Sequence, residues 1–299
     1  MGLQNAGNAG NAGNAANYDA MRKFAAEIRK QTIWAMASIG FGHIGGSMSI
    51  ADVLAVLYSD VMKVDPQNPD WEERDMLVLS KGHCGASLYA ALALKGYFPL
   101  DELKTLNRPN TNLPSHCDRL KTKGVDMSTG SLGQGISTAI GIALGNRLKK
   151  IDSYTYVILG DGELQEGQVW EGIQFAAHRG LDNLVVLVDN NQKQLDGKLN
   201  EICKPFDLKA KFEAFGFNCL KIKGYDVEEI HEALISAREK CSGKPTAIIL
   251  ETSKGIGCCF AEDVDFNHYM VIDEEMAREA CCEIDRRLAA GCVVGSDKK

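Results

Sequence analysis

Apolar residues recur at close to helical spacing soon after the start of the chain. Met21, Phe24, Ala25, Ile28, Ile33 and Met36 predict a helix over 18–39, ended by Gly40. Ser49 is placed to cap a second helix carrying Val53, Leu54, Leu57 and Val61. Met76–Leu79, behind the charged WEERD segment, reads as a short buried strand, and Cys84–Lys95 as a helix. Residues 106–128 carry Pro, Asn and Gly and predict a loop; Leu132–Lys150 predicts a helix of small residues. The pattern then becomes regular. Strands over Tyr156–Leu159, Leu184–Val188, Asn218–Ile222 and Thr246–Leu250 alternate with helices over Gln168–His178, 207–215 and 227–240. A last amphipathic helix covers about 273–289. Alternation of this kind implies an α/β fold, a parallel sheet with helices on both faces. No composition break follows residue 20, so one domain is expected over 18–299, after a disordered Asn/Ala/Gly-rich tail over 1–17.

Composition adds little to this picture, whereas charge changes it. Apolar residues make up 45% and charged residues 24% of 299, as in ordinary globular proteins. Net charge is −7, which advertises no basic face for nucleic acid or an anionic membrane. An anionic cofactor would need local cations: a metal, histidines or helix N-termini. The ten cysteines include no CxxC pair, which fits reduced thiols in the cytoplasm. No basic segment followed by an apolar one opens the chain, so no signal peptide is expected. Nor is any apolar run expected to reach the ~18 residues of a membrane span.

Candidate chemistry begins at Gly160-Asp161-Gly162, just past the strand YVIL. Two glycines let the chain turn sharply around one carboxylate, and ligands of open α/β sheets collect at the carboxyl ends of strands. Asn191 lies just past the next strand. If those strands are neighbours, Asp161 and Asn191 face one crevice. A carboxylate and an amide oxygen are hard ligands suited to Mg²⁺ or Ca²⁺, and they leave positions open for phosphate oxygens and water.

Five segments then stand in the order found in the transketolase family: GHIGG (42–46), RDMLVLSKGH (74–83), TGSLGQG (129–135), GDGELQEG (160–167) and DNNQKQLDG (189–197). The chain resembles that family over most of residues 18–270, and specifically its diphosphate-binding part. The resemblance implies thiamine diphosphate bound through Mg²⁺, with Asp161, Asn191 and the carbonyl of Lys193 as metal ligands and Gly160 and Gly162 in the cofactor-binding turn. It implies that Gly130, Leu132 and Leu195 contact the cofactor rings and that Glu166 links paired active sites. Of the six histidines, it implies that His83 contacts the diphosphate, His43 and His116 face the sugar, and His268 lies between. Imidazoles titrate near neutrality, where sugar hydroxyls must lose and regain protons. His178 and His231, in predicted helices, are read as ordinary structural residues. Two departures stand out: DFNHYM replaces a common Trp-His-Gly, and Ser131 a common proline.

The resemblance also implies what should lie elsewhere. The glutamate that activates the aminopyrimidine and the cations that bind sugar phosphate belong to the pyrimidine-binding domain, which this sequence does not reach. The expectation is therefore the N-terminal subunit of a split transketolase, working with a pyrimidine-domain subunit in an α2β2 assembly on sugar phosphates, without nucleic acid or membrane. Two alternatives stand beside it: a subunit of another thiamine enzyme, such as a dehydrogenase E1 component, and a noncatalytic transketolase-like binding protein.

Overall fold

Successive residues of a strand point to opposite faces, and the central strands here are apolar on both, so they must be buried between two layers. The computed structural model has that form; it describes residues 7–239 and 242–291, with side chains from residue 18. In chain order the elements are α1 (Gly7–Ala37), β1 (Phe41–Gly42), α2 (Ile44–Met48), α3 (Ala51–Val56), β2 (Met76–Leu79), α4 (Gly85–Lys95), α5 (Gln134–Lys149), β3 (Thr155–Gly160), α6 (Gly167–His178), β4 (Leu184–Asn190), α7 (Leu199–Ile202), α8 (Leu208–Ala214), β5 (Asn218–Lys223), α9 (Val227–Glu239), β6 (Thr246–Glu251), β7 (Met270–Val271) and α10 (Glu274–Ala289). Helix α1 takes in part of the Asn-Ala-Gly segment; residues 1–6 of the expected tail lie outside the described residues.

Five strands form one parallel sheet in the order β2-β3-β4-β6-β5. Its two faces divide the core by residue parity. Leu79, Ile158, Leu187 and Ile248 pack beneath α1, α3, α4, α9 and α10. Val78, Val157, Val186 and Ile249 pack against α5, α6 and α8. Asp207 and Asp273 cap α8 and α10, their carboxylates accepting from Ala210 N and Met276 N.

Three expectations need correction. Ser49 does not cap the helix that follows it: it ends α2, Ile50 precedes α3 without a side-chain cap, and the Ser49 hydroxyl turns inward to Asp189, 2.7 Å away. The following helix is not continuous; α3 passes into a wider π-type turn over Leu57–Val61. Finally, the segment Ile44–Val61 is long and apolar enough to cross a membrane, but 89% of it is buried in the protein, where it forms the centre of the first core. The pairing of β1 with β7 had no counterpart in the sequence pattern, because two-residue strands carry no period. It ties Phe41 to Val271 and Gly42 to Met270, which brings the nearby His43 and His268 to one place.

Candidate active site

The carboxyl ends of β2, β3, β4 and β6 open into one cleft of about 370 Å³. Each contributes the residues that follow it: Lys81 and His83 after β2, Asp161 after β3, Asn191 and Lys193 after β4, Lys254 after β6. Strands β3 and β4 are hydrogen-bonded neighbours with Gly160 opposite Asp189, so Asp161 and Asn191 do face the same crevice.

Asp161 is 2% exposed. Its Oδ1 accepts from Gly162 N at 2.8 Å and its Oδ2 from Gln192 N at 2.6 Å. The next amide along, Lys193 N, donates to Asn191 Oδ1 at 3.1 Å. Gln192 takes a left-handed conformation (φ 66°), rare for a residue with a side chain, and this turn aims both amides at the two oxygens. The turn of β3 is held in addition by Glu163. Its carboxylate accepts from Ser80 Oγ, from Gly133 N at 2.8 Å and from Gly160 N at 3.0 Å, fastening the GDG turn to the LGQG turn.

The four loop histidines converge. His43 stands at the centre, with ring centroids 5.4 Å from His83, 5.7 Å from His116 and 5.4 Å from His268; His83 and His268 are 4.9 Å apart. Close approach depends on two glycines. A Cβ on Gly130 (φ 141°) would meet the His116 ring at 2.8 Å, and one on Gly46 would crowd Cys84, His83 and Lys81. Lys254 Nζ lies 2.9 Å from His268 Nδ1 and 3.2 Å from the Lys193 carbonyl. Leu132 and Leu195 line the cleft and remain exposed, Leu195 by 61%. Glu166 lies in the same wall.

Burial and mutual repulsion hold these bases uncharged. His43 is lowered to about 4 by burial and by His116 and Lys254. His268 is lowered to about 3 by burial, Lys254 and His43, and His83 is driven further down by burial and Lys81. Burial also lowers His116. An ammonium donating to His268 Nδ1 requires that nitrogen to be bare, which agrees. Lys254 falls to about 8 through burial and Lys81. Asp161 moves the other way, up to about 7, through burial and the neighbouring Asp189. A cleft that suppresses cationic imidazoles and an anionic carboxylate is one in which an anion and a divalent cation bound together would relieve both costs.

A pH dependence follows. His268 is near 3 in the folded state and ~6.5 in the unfolded chain. Between those values the unfolded chain binds more protons, so this ring's contribution to stability is complete above ~6.5 and is lost as pH falls. His268→Gln is therefore expected to lose less Tm than the wild type between about pH 7 and about pH 5. Parallel losses in a thermal melt series would show that the ring is not held neutral.

All the residues expected at the site thus share one cleft, and His178 and His231 lie outside it; His231 pairs with Asp60 at 2.8 Å. Lys81, Glu163, Asp189 and Lys254 were missed. Lys81, Glu163 and Asp189 stood inside the family-like segments, but nothing in a sequence marks a charged residue as buried.

The family described as "Transketolase, thiamine diphosphate binding domain" matches residues 20–280. A 6-deoxy-6-sulfo-D-fructose transketolase subunit of Clostridium sp. (strain MSTE9) is 50% identical over 87% of this chain and 94% of its own length. An apulose-4-phosphate transketolase subunit of Phocaeicola vulgatus is 34% identical over 87% and 92%. Among solved structures, transketolase from Campylobacter jejuni superposes with a TM-score of 0.81 at 32% identity, covering 90% of this chain and 43% of that one. A transketolase variant from Pichia stipitis gives 0.81 at 29%, covering 90% and 40%. The chain thus spans about two-fifths of those solved transketolases.

Proposed function

The chain belongs to the transketolase family through its thiamine diphosphate-binding domain, and from that premise we propose that it supplies the diphosphate half of an active site that moves a two-carbon ketol unit between sugar phosphates. One observation carries the reading: four imidazoles, three lysines and a buried carboxylate–amide pair converge in one cleft of a protein whose net charge is −7. The donor set fits a divalent ion such as Mg²⁺. Asp161, Asn191 Oδ1 and the Lys193 carbonyl are hard oxygens, and burial beside Asp189 leaves the Asp161 carboxylate in need of positive charge. His83 and Lys254 are placed to meet diphosphate oxygens, and Leu132 and Leu195 to cover an apolar ring.

When bound, thiamine diphosphate supplies the carbon centre that takes up the two-carbon unit. His43 and His116 then act on the sugar. As neutral rings they can accept a hydroxyl proton and return it, with His268 between sugar and diphosphate. The relatives named as subunits match this chain over nearly their whole length. That supports a separate pyrimidine-domain partner, in an α2β2 assembly in which each cleft is covered. The sulfosugar name of the relative at 50% identity widens the proposed donor class to sugars ending in sulfonate as well as phosphate.

The test is reconstitution. The chain alone, saturated with Mg²⁺ and thiamine diphosphate, is expected to show no ketol transfer; adding a pyrimidine-domain partner should restore it, with phospho- and sulfosugars compared. Robust turnover by the isolated chain would overturn the divided active site.

A further inference from the structure

Asp189, at the end of β4, is completely buried beneath the metal-ligand turn. Its Oδ2 collects three donors: Ser49 Oγ at 2.7 Å, Asn191 Nδ2 at 2.8 Å, and the Lys81 ammonium. Its Oδ1 has no hydrogen-bond partner among the described residues. A buried carboxylate with one oxygen unsatisfied costs stability, and a buried ion pair seldom returns it. The pair with Lys81 alone therefore does not account for the residue.

The contact with Asn191 does. An ionised carboxylate only accepts, so whatever faces it must donate. The Asn191 amide is thereby held with its nitrogen toward Asp189 and its oxygen toward the turn it shares with Asp161, where Lys193 N meets it at 3.1 Å. A flipped amide would present hydrogens to a cation. We propose that Asp189 is a positioning residue that fixes the orientation of the Asn191 amide and so sets the affinity of the site for a divalent cation. Lys81 serves this arrangement by pairing with the Asp189 carboxylate in the interior. The inference rests on the metal-bound cofactor site proposed above.

The full-length chain is titrated with Mn²⁺ in the presence of thiamine diphosphate, and free Mn²⁺ is read by electron paramagnetic resonance. Asp189→Asn, whose amide can turn either way, should weaken Mn²⁺ binding by about 10–100-fold, as loss of an outer-sphere partner does. Asp189→Asn/Asn191→Asp should recover most of that loss, because a carboxylate at 191 offers oxygen in both orientations. Ser49→Ala, which leaves the Asn191 contact in place, should stay close to wild type. Near-ultraviolet circular dichroism checks the fold of each. If Asp189→Asn fails to fold around an unpaired Lys81, the pair Lys81→Met/Asp189→Leu removes both charges and should show the same loss. Wild-type affinity in a folded Asp189→Asn or Met/Leu variant overturns the proposal. So does a loss that the double variant fails to rescue, which would make Asp189 merely structural. Absence of Mn²⁺ binding by the wild type itself would instead sink the cofactor reading, and this inference with it.

Discussion

Replacing His116 or His43 with alanine is expected to lower turnover of the assembled enzyme by about 10²–10⁴-fold, the range typical of general acid–base groups, while thiamine diphosphate still binds. The division of roles comes from position. His116 rises from the 106–128 loop over Gly130, and His43 sits at the centre of the four rings, edge-on to the half-exposed Tyr269 at 5.0 Å. Neither is among the groups holding the Asp161–Asn191 turn. His83 is more deeply buried, beside Lys81 and His268. His83→Ala should therefore weaken cofactor binding first. Steady-state kinetics paired with cofactor titration separates the two classes. Equal loss of cofactor in His116→Ala and His83→Ala would show that they share one role.

Asp161→Ala is expected to weaken cofactor binding by at least about 10–100-fold. Two effects combine. The variant loses the only carboxylate among the three proposed ligands, and it leaves Gln192 N and Gly162 N without the acceptor that shapes the turn. Asp161→Asn keeps an acceptor while removing the charge. A loss as large in Asp161→Asn as in Asp161→Ala would assign the effect to charge; a much smaller one would assign it to the turn. Titration of thiamine diphosphate into the assembled variants at fixed Mg²⁺ reads both.

Much of the fold was legible because the central strands are short, apolar on both faces and separated by helices with a clear period. β2, β4 and β6 lie close to where alternation placed them. Asp161 and Asn191 were legible because they sit in turns directly after neighbouring strands, where a parallel sheet gathers them; the histidines, Gly130, Leu132 and Leu195 were legible only through the family resemblance, since His116, Gly130 and Leu132 lie in the long connection between α4 and α5. What could not be read depends on three-dimensional contact. The β1–β7 pairing joins two-residue segments far apart in sequence. Ser49 looked like the cap of the helix after it, yet it ends the helix before it and its hydroxyl reaches Asp189, distant in sequence and buried. Nothing in the sequence set Asp189 and Lys81 apart, since burial of a charge is decided by the partner it meets and not by its neighbours in the chain. Glu163 likewise gave way to Glu166 in the reading of GDGELQEG, although Glu163 is the one whose carboxylate ties the turns together.

The central claim is that this cleft binds thiamine diphosphate through a divalent cation held at Asp161 and Asn191. Isothermal titration of thiamine diphosphate into the assembled enzyme, once with Mg²⁺ and once with excess EDTA, tests it most directly. The account predicts saturable binding with Mg²⁺ and little or none with EDTA, because the diphosphate would then face Asp161 without a bridging charge. Equal affinity under the two conditions would contradict it.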